Sequence, residues 1–405
     1  MGRGETSTVE DRRPDTINVP ITIGWTQTIE IKDQMDEVLP AEDFLSLLSK
    51  ETTGKIVAEL EKSYSDIRKC DYPILPQFLA IVYMKLKKIK YLSSLLRELK
   101  AKNGELAEKL GFKKENGTVE IPSYKNFWTF LKVRVGEGRL DALSVIAIAE
   151  LDKKLRLRGI EFGKKTAHDG YVIRAHDKGA VYNGHYETTM YKGEVGFDID
   201  LMVPFYGCAT TGTDYDGSYV VPFVERLDAV KKDGRTMWLD GHYASIENFA
   251  ILNHTHKVRT IMNIPKDQMV ISEEGSLENI ERWYQSLHEK ADFVAGATLD
   301  YKLTFLMRYG RIGEVGYYYR NQYVQEYIDN QAAYEKEYHR RSAEESGNNV
   351  MKNGLVDTEN ASYGTGLVNR NLHVKWCILA MQIVALIRAQ NGRTRGLTSV
   401  ENIAC

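Results

Sequence analysis

Tyr338, Arg341, Glu345 and Lys352 stand at offsets of 0, 3, 7 and 14 residues. On a helix turning about 100° per residue their side chains fall within an arc of roughly 60°. One face then presents a phenol, two cations and a carboxylate. That combination suits a metal ion beside a phosphodiester, because the carboxylate holds the cation while Arg and Lys hold phosphate oxygens. The same residues also suit an ordinary solvated face in a charge-rich segment. Gly347-Asn348-Asn349 are poor helix formers between Glu345 and Lys352, which puts the phase of Lys352 in question.

A phosphoryl-transfer site needs more than one carboxylate, and two further acids stand out. Asp169 lies in Thr166-Ala167-His168-Asp169-Gly170-Tyr171, and Asp240 in Trp238-Leu239-Asp240-Gly241-His242-Tyr243. Each precedes a glycine, and Asp-Gly is equally a short turn signal. The elements around them read as β-strands over 166–175, 184–191 and 194–204, a helix over 219–231, a strand over 236–239, a helix over 245–253 and a strand over 257–264. Three strands, helix, strand, helix, strand is the order of an RNase H-like sheet, in which the first and fourth strands are neighbours and their acids converge. Asp198 and Asp200 are rivals for the first carboxylate. Alternation along 195–203 puts both opposite the apolar residues, as on an exposed strand edge, so Asp169 is preferred.

These blocks resemble those of the IS4-type DDE transposases: Asp169 in its His-Asp-Gly context, Tyr182-Asn183-Gly184-His185-Tyr186, the Asp-Gly-His-Tyr-Ala-Ser run at Asp240, and the Tyr-x2-Arg-x3-Glu-x6-Lys signature from Tyr338 to Lys352. The similarity covers residues 75–390 and is strongest at that signature. It implies a DNA strand-transfer enzyme in which Asp169, Asp240 and Glu345 are the catalytic, metal-binding triad, and Tyr338, Arg341 and Lys352 contact DNA phosphates. Hard oxygen ligands suit Mg²⁺ or Mn²⁺. Two such ions about 4 Å apart activate the attacking oxygen and stabilise the leaving one in an in-line displacement. The expected partners are double-stranded DNA, as element ends and target, and a second copy of the chain, with no membrane. The alternatives are a catalytically silent DNA-binding protein derived from such an enzyme, and an RNase H-like nuclease that cleaves without joining.

Net charge is only −2, which argues against a protein basic throughout. The charge is segregated, however: residues 81–165 hold 20 Lys and Arg against 10 Asp and Glu, whereas residues 1–80 hold 9 against 15. A basic block of this kind is the footprint of a DNA-binding module. Within it Leu86, Ile89, Leu92, Leu96 and Leu99 form one helical stripe, leaving Lys87, Lys88 and Lys90 outside. Ser123 reads as an N-cap for a helix over 124–135 that carries Trp128 and Phe130 beside Lys132 and Arg134, compatible with a helix-turn-helix-like module. The expected organisation is a partly helical N-terminal extension (1–74, its first 20 residues mobile), a helical DNA-binding domain (75–160), an RNase H-like α/β domain in two parts (161–265 and 326–405), and an insertion (266–325) in which 277–290 is helical and 315–327 aromatic and extended.

The four cysteines are scattered and form no Cys-x-x-Cys pair, which fits a reducing cytoplasm and disfavours structural zinc; the resemblance implies a place beside the nucleoid of a prokaryotic cell. The apolar run 377–387 is interrupted by Gln382 and too short to span a bilayer, so it is expected to be a buried helix. His254 and His256 are expected at a helix end rather than on a metal, and Trp283 on the core face of its helix.

Overall fold

The computed structural model describes residues 38–64, 72–114, 116–228, 230, 234–265, 268–359, 364–399 and 403–404. The first 20 residues, Cys70 and Cys405 lie outside them. The chain enters through a two-residue strand, β1 (Leu39–Pro40), and seven helices: α1 (Ala41–Ser46), α2 (Lys50–Glu61), α3 (Ile74–Leu86), α4 (Leu92–Lys100), α5 (Glu105–Lys109), α6 (Tyr124–Thr129) and α7 (Gly136–Arg156). The expected leucine stripe is divided between α3 and α4, because Lys88 turns the chain at φ +52°, yet all five of its residues are buried. Ser123 caps α6, its Oγ accepting from the Asn126 N–H at 3.3 Å.

The sheet is built from β2 (Lys165–Arg174), β3 (Val181–Asn183), β4 (Thr188–Asp198), β5 (Val203–Thr211), β6 (Thr236–Leu239) and β7 (Arg259–Met262). β2 is central, with β4 antiparallel on one side and β6, then β7, parallel on the other; β5 and the short β3 share the outer edge of β4. Parallel neighbours need crossovers, supplied by α8 (Val220–Asp228) between β5 and β6 and by α9 (Ile246–Phe249) with the following helical turn between β6 and β7. Two of the expected strands have different bounds. Residues 188–198 run as one strand, and the break falls at 199–202. There the buried Asp198 accepts from the backbone N–H groups of Gly163 (2.8 Å), Asp200 (3.0 Å) and Leu201 (2.8 Å). Asp198 therefore caps a turn instead of lining an exposed edge; only Asp200 is exposed, paired with Lys165 at 2.9 Å.

Residues 266–325 contribute α10 (Leu277–Ser286), α11 (Leu299–Arg308) and α12 (Ile312–Asp329), which share a small core of Ala250, Ile280, Leu303, Leu306 and Val315. The expectation of extended backbone over 315–327 is corrected by α12. Val315, Tyr319, Tyr323 and Tyr327 recur every fourth residue, a helical spacing that outweighs the strand preference of tyrosine. After α12 come α13 (Gln331–Tyr338), a single 3₁₀ turn at 339–341, α14 (Ser342–Asn353), α15 (Leu367–Gln390) and a last strand, β8 (Ile403–Ala404), which pairs with β1. α15 is long and apolar enough to cross a bilayer, but it is almost wholly buried against β5, α7 and α3. One continuous hydrophobic core joins the N-terminal helices to the sheet.

Candidate active site

Register decides where the acids stand. β2 and β6 are parallel, with His168 opposite Leu239, so the next residue on each chain is Asp169 and Asp240. The two carboxylates thus stand side by side, Asp169 midway along β2 and Asp240 just past the C-terminal end of β6. Alternation sends Ala167, Asp169 and Tyr171 to the sheet face that α14 covers, and His168 and Gly170 to the other. The packing agrees: His168 packs tilted against Phe223 and edge-on to Tyr243, whereas the Lys352 ammonium lies 5.5 Å from the centre of the Tyr171 ring. Asp169-Gly170 is therefore strand, not turn. Asp240 does serve a turn, accepting from the Gly241 N–H to open a short 3₁₀ helix, while its other oxygen lies 3.4 Å from Arg341 Nη1.

The signature residues are carried by three successive elements rather than one helix. Tyr338 ends α13, Arg341 closes the 3₁₀ turn, and Glu345 and Lys352 lie on α14, which continues through Gly347-Asn348-Asn349. That glycine has a purpose. A Cβ at 347 would meet the Phe197 ring at 2.9 Å, so the bare position lets α14 lie close on β4. Arg341 lies 5.8 Å from the centre of the Tyr338 ring, within cation–π range.

Electrostatics ties the group together. Burial pushes the Asp169 carboxyl up to about 6; the Arg341 charge and the Gly170 N–H oppose this, and the negative charges of Asp240 and Glu345 add to it. Burial holds Lys352 below the usual lysine range, against the attraction of Glu359 and Asp169. Glu345 is exposed on α14. Among the described residues no three His, Cys, Asp or Glu side chains lie close enough to enclose a metal ion. By donor type, Asp169 and Asp240 fit a hard divalent cation: both are carboxylates, half-buried and side by side.

The cations of the N-terminal helices are used differently. Arg134 turns inward, donating to the Ser63 carbonyl at 2.6 Å and covering the Tyr64 ring, and Lys132 lies over Trp128 at 4.7 Å with its pKa lowered by burial. Lys87, Lys88 and Lys90 occupy the turn between α3 and α4, with Lys88 and Lys90 exposed. His254 bonds Tyr319 and Thr304, His256 bonds Asp228, and Trp283 carries the Arg311 guanidinium at 3.7 Å.

Two residues beside the site receive no role from the sequence: Glu194, which it does not single out, and Tyr186, which enters only as part of a block. Glu194 is fully buried on β4 behind Gly170, its Oε2 accepting from the Tyr243 hydroxyl at 3.2 Å, with Lys192 at 3.9 Å from Oε1. Burial raises its carboxyl to about 8 and lowers Lys192, so desolvation outweighs their attraction. The signal was present: 192 and 194 share parity within one strand, and it is lost once a strand break is placed between 191 and 194. Tyr186 follows an Asn183 turn, and burial, then the charges of Asp169, Glu194 and Asp240, raise its phenol.

No family model and no curated protein matches the sequence. Among solved structures the chain is similar to the cryo-EM structure of a piggyBac transposase synaptic complex with hairpin DNA, at 11% identity and a TM-score of 0.33, over 88% of this chain and 76% of that one.

Proposed function

We propose that this chain is a DDE-type DNA transposase of the IS4 kind, which cuts the ends of an insertion element and joins the freed 3′-hydroxyl to target DNA. The observation that carries this reading is the pair Asp169 and Asp240, adjacent where the parallel pairing of β2 and β6 ends, with Asp240 tied to the turn before the Glu345 helix through Arg341. The strand order β5-β4-β2-β6-β7, antiparallel for the first three and parallel thereafter, supports an RNase H-like sheet as its platform. Asp169 and Asp240 would hold Mg²⁺ or Mn²⁺, with Glu345, exposed on α14, as the third ligand that the resemblance implies; such an ion would polarise the scissile phosphate and lower the pKa of the attacking hydroxyl. Arg341 and Lys352 neutralise phosphate oxygens, and the Tyr338 ring supports Arg341 from beneath. A second copy of the chain would bring the second DNA end.

The test is a labelled element-end duplex incubated with a supercoiled target plasmid and Mn²⁺, alongside the Asp240→Asn variant. Joined product that disappears in the variant is expected. Nicking without joining points to a nuclease, and a gel shift without cleavage to a silent DNA-binding protein.

A further inference from the structure

The ladder between β2 and β6 ends at His168 and Leu239, one residue short of both acids. Asp240 is therefore placed by the turn it opens. The first N–H of that turn, of Gly241, bonds the Asp240 carboxylate, and the turn then crosses from the face of the acids to the other face of the sheet. There it ends on Tyr243, fully buried and edge-on to His168, with ring centres 5.2 Å apart. Tyr215 and Asn248 hold the backbone of the turn, donating to the carbonyls of His242 (2.6 Å) and Tyr243 (3.0 Å). The Tyr243 hydroxyl ties it to the sheet, donating to Glu194 Oε2 at 3.2 Å. Glu194 stands on β4 opposite Gly170, and residues opposite one another in a sheet share a face. The bond thus passes behind β2 and joins the strand on one side of it to the turn on the other.

Gly170 makes room for it. A Cβ there would lie 3.2 Å from both Glu194 Oε1 and Lys192 Cδ, closer than Cβ contacts usually run, so the bare position after Asp169 clears the path of the carboxyl group. Glu194 is costly to keep: it is fully buried, and its Oε1 has no hydrogen-bond partner. Lys192, 3.9 Å from that oxygen, is paired more closely with Asp216. An apolar side chain would carry no such cost, which leaves the bond to Tyr243 as what the carboxyl group contributes. We infer that Glu194 is a positioning residue for Asp240: it holds the Tyr243 hydroxyl and so fixes the turn whose first N–H aims the Asp240 carboxylate beside Asp169. The inference rests on the reading of Asp169 and Asp240 as ligands of a divalent cation.

The test is calorimetric titration of the full chain with Mn²⁺ at pH 7, beside the Mn²⁺ concentration that gives half-maximal strand cleavage and the melting temperature. Tyr243→Phe, which removes one hydroxyl and keeps the ring, should weaken Mn²⁺ binding several-fold and raise the half-maximal concentration by the same factor, with duplex affinity unchanged. Glu194→Leu should do the same, and Glu194→Gln, whose amide oxygen still accepts from the phenol, should recover most of the loss. A purely structural bond would lower the melting temperature of Tyr243→Phe and leave both Mn²⁺ readings at their wild-type values; that result overturns the inference. So does a Glu194→Gln variant as weak as Glu194→Leu, since the charge rather than the acceptor would then be at work. Should Tyr243→Phe not fold, the double variant Tyr243→Phe with Glu194→Leu, which leaves neither polar partner buried alone, carries the same expectation. If the wild-type chain binds no Mn²⁺, the proposed function falls with the inference; if it binds Mn²⁺ and Tyr243→Phe binds it equally, the inference falls alone.

Discussion

Arg341 Nη1 lies 3.4 Å from Asp240 Oδ2, so the turn that starts the Glu345 helix is tied to the strand that carries the second acid. Both side chains are partly exposed, at 23% and 33%, and a pair of that kind is worth about 1 kcal/mol or less. The guanidinium thus lowers the repulsion between Asp169 and Asp240 without blocking either. Removing it has opposite effects on the two ligands. Arg341→Gln should bind Mn²⁺ up to about fivefold more tightly, the equivalent of about 1 kcal/mol, and duplex DNA more weakly. Calorimetry with Mn²⁺ and a gel shift read the two arms; a fall in both affinities would contradict the assignment.

Glu194 makes stability depend on pH. Its folded pKa of about 8 exceeds the ordinary 4.5, so the folded protein retains a proton that the unfolded chain releases. The associated stability is complete below about 4.5 and is lost as pH rises through about 8, an effect on the order of a few kcal/mol. Glu194→Gln, which keeps the shape and stays neutral, should flatten the dependence and melt higher than wild type at pH 8.5. Thermal melts from pH 5 to 9 decide it: parallel curves for the two proteins would show that another group is responsible.

Neutralising the exposed turn between α3 and α4 tests the basic block. Lys87, Lys88 and Lys90 changed together to Gln should lower duplex affinity and cut the salt slope by up to about 2–3, one contact per lysine. The melting temperature should stay within a degree or two. An unaltered slope would show that these lysines make no phosphate contact.

What the sequence revealed follows the range of the interactions involved. Strand β6 and the acid after it were legible because alternation and an Asp-Gly step are local signals. The turn at 199–202 was not, because its cap, Asp198, reads as polar in the sequence and is buried by distant packing. α12 is a different case: its helical spacing, Val315, Tyr319, Tyr323 and Tyr327, is local and was masked by the strand preference of tyrosine. Arg134 carries the right charge for DNA in a sequence, yet its guanidinium is committed to Ser63 and Tyr64. Local periodicity locates acids on elements; only tertiary contacts decide which cations remain available.

Gly347 connects packing to chemistry. The sequence marks it as a weak point of the helix, but α14 runs through it because the missing side chain admits the Phe197 ring. A methyl group there would sit 2.9 Å from that ring, closer than carbon atoms tolerate, and neither partner is the end of a flexible chain. Gly347→Ala must then lift α14 away from β4, carrying Glu345 and Lys352 with it. Overpacking of this kind costs about 1–3 kcal/mol, set against roughly 1 kcal/mol gained in helix propensity. The expected result is a protein that still folds and still shifts duplex DNA, but whose Mn²⁺-dependent strand cleavage falls at least tenfold, since an ångström of misplacement costs about a hundredfold in a positioned reaction. Phe197→Leu in the same chain should recover part of the lost cleavage by vacating the contact. Full cleavage by Gly347→Ala alone would mean that the seat of α14 on β4 does not position Glu345.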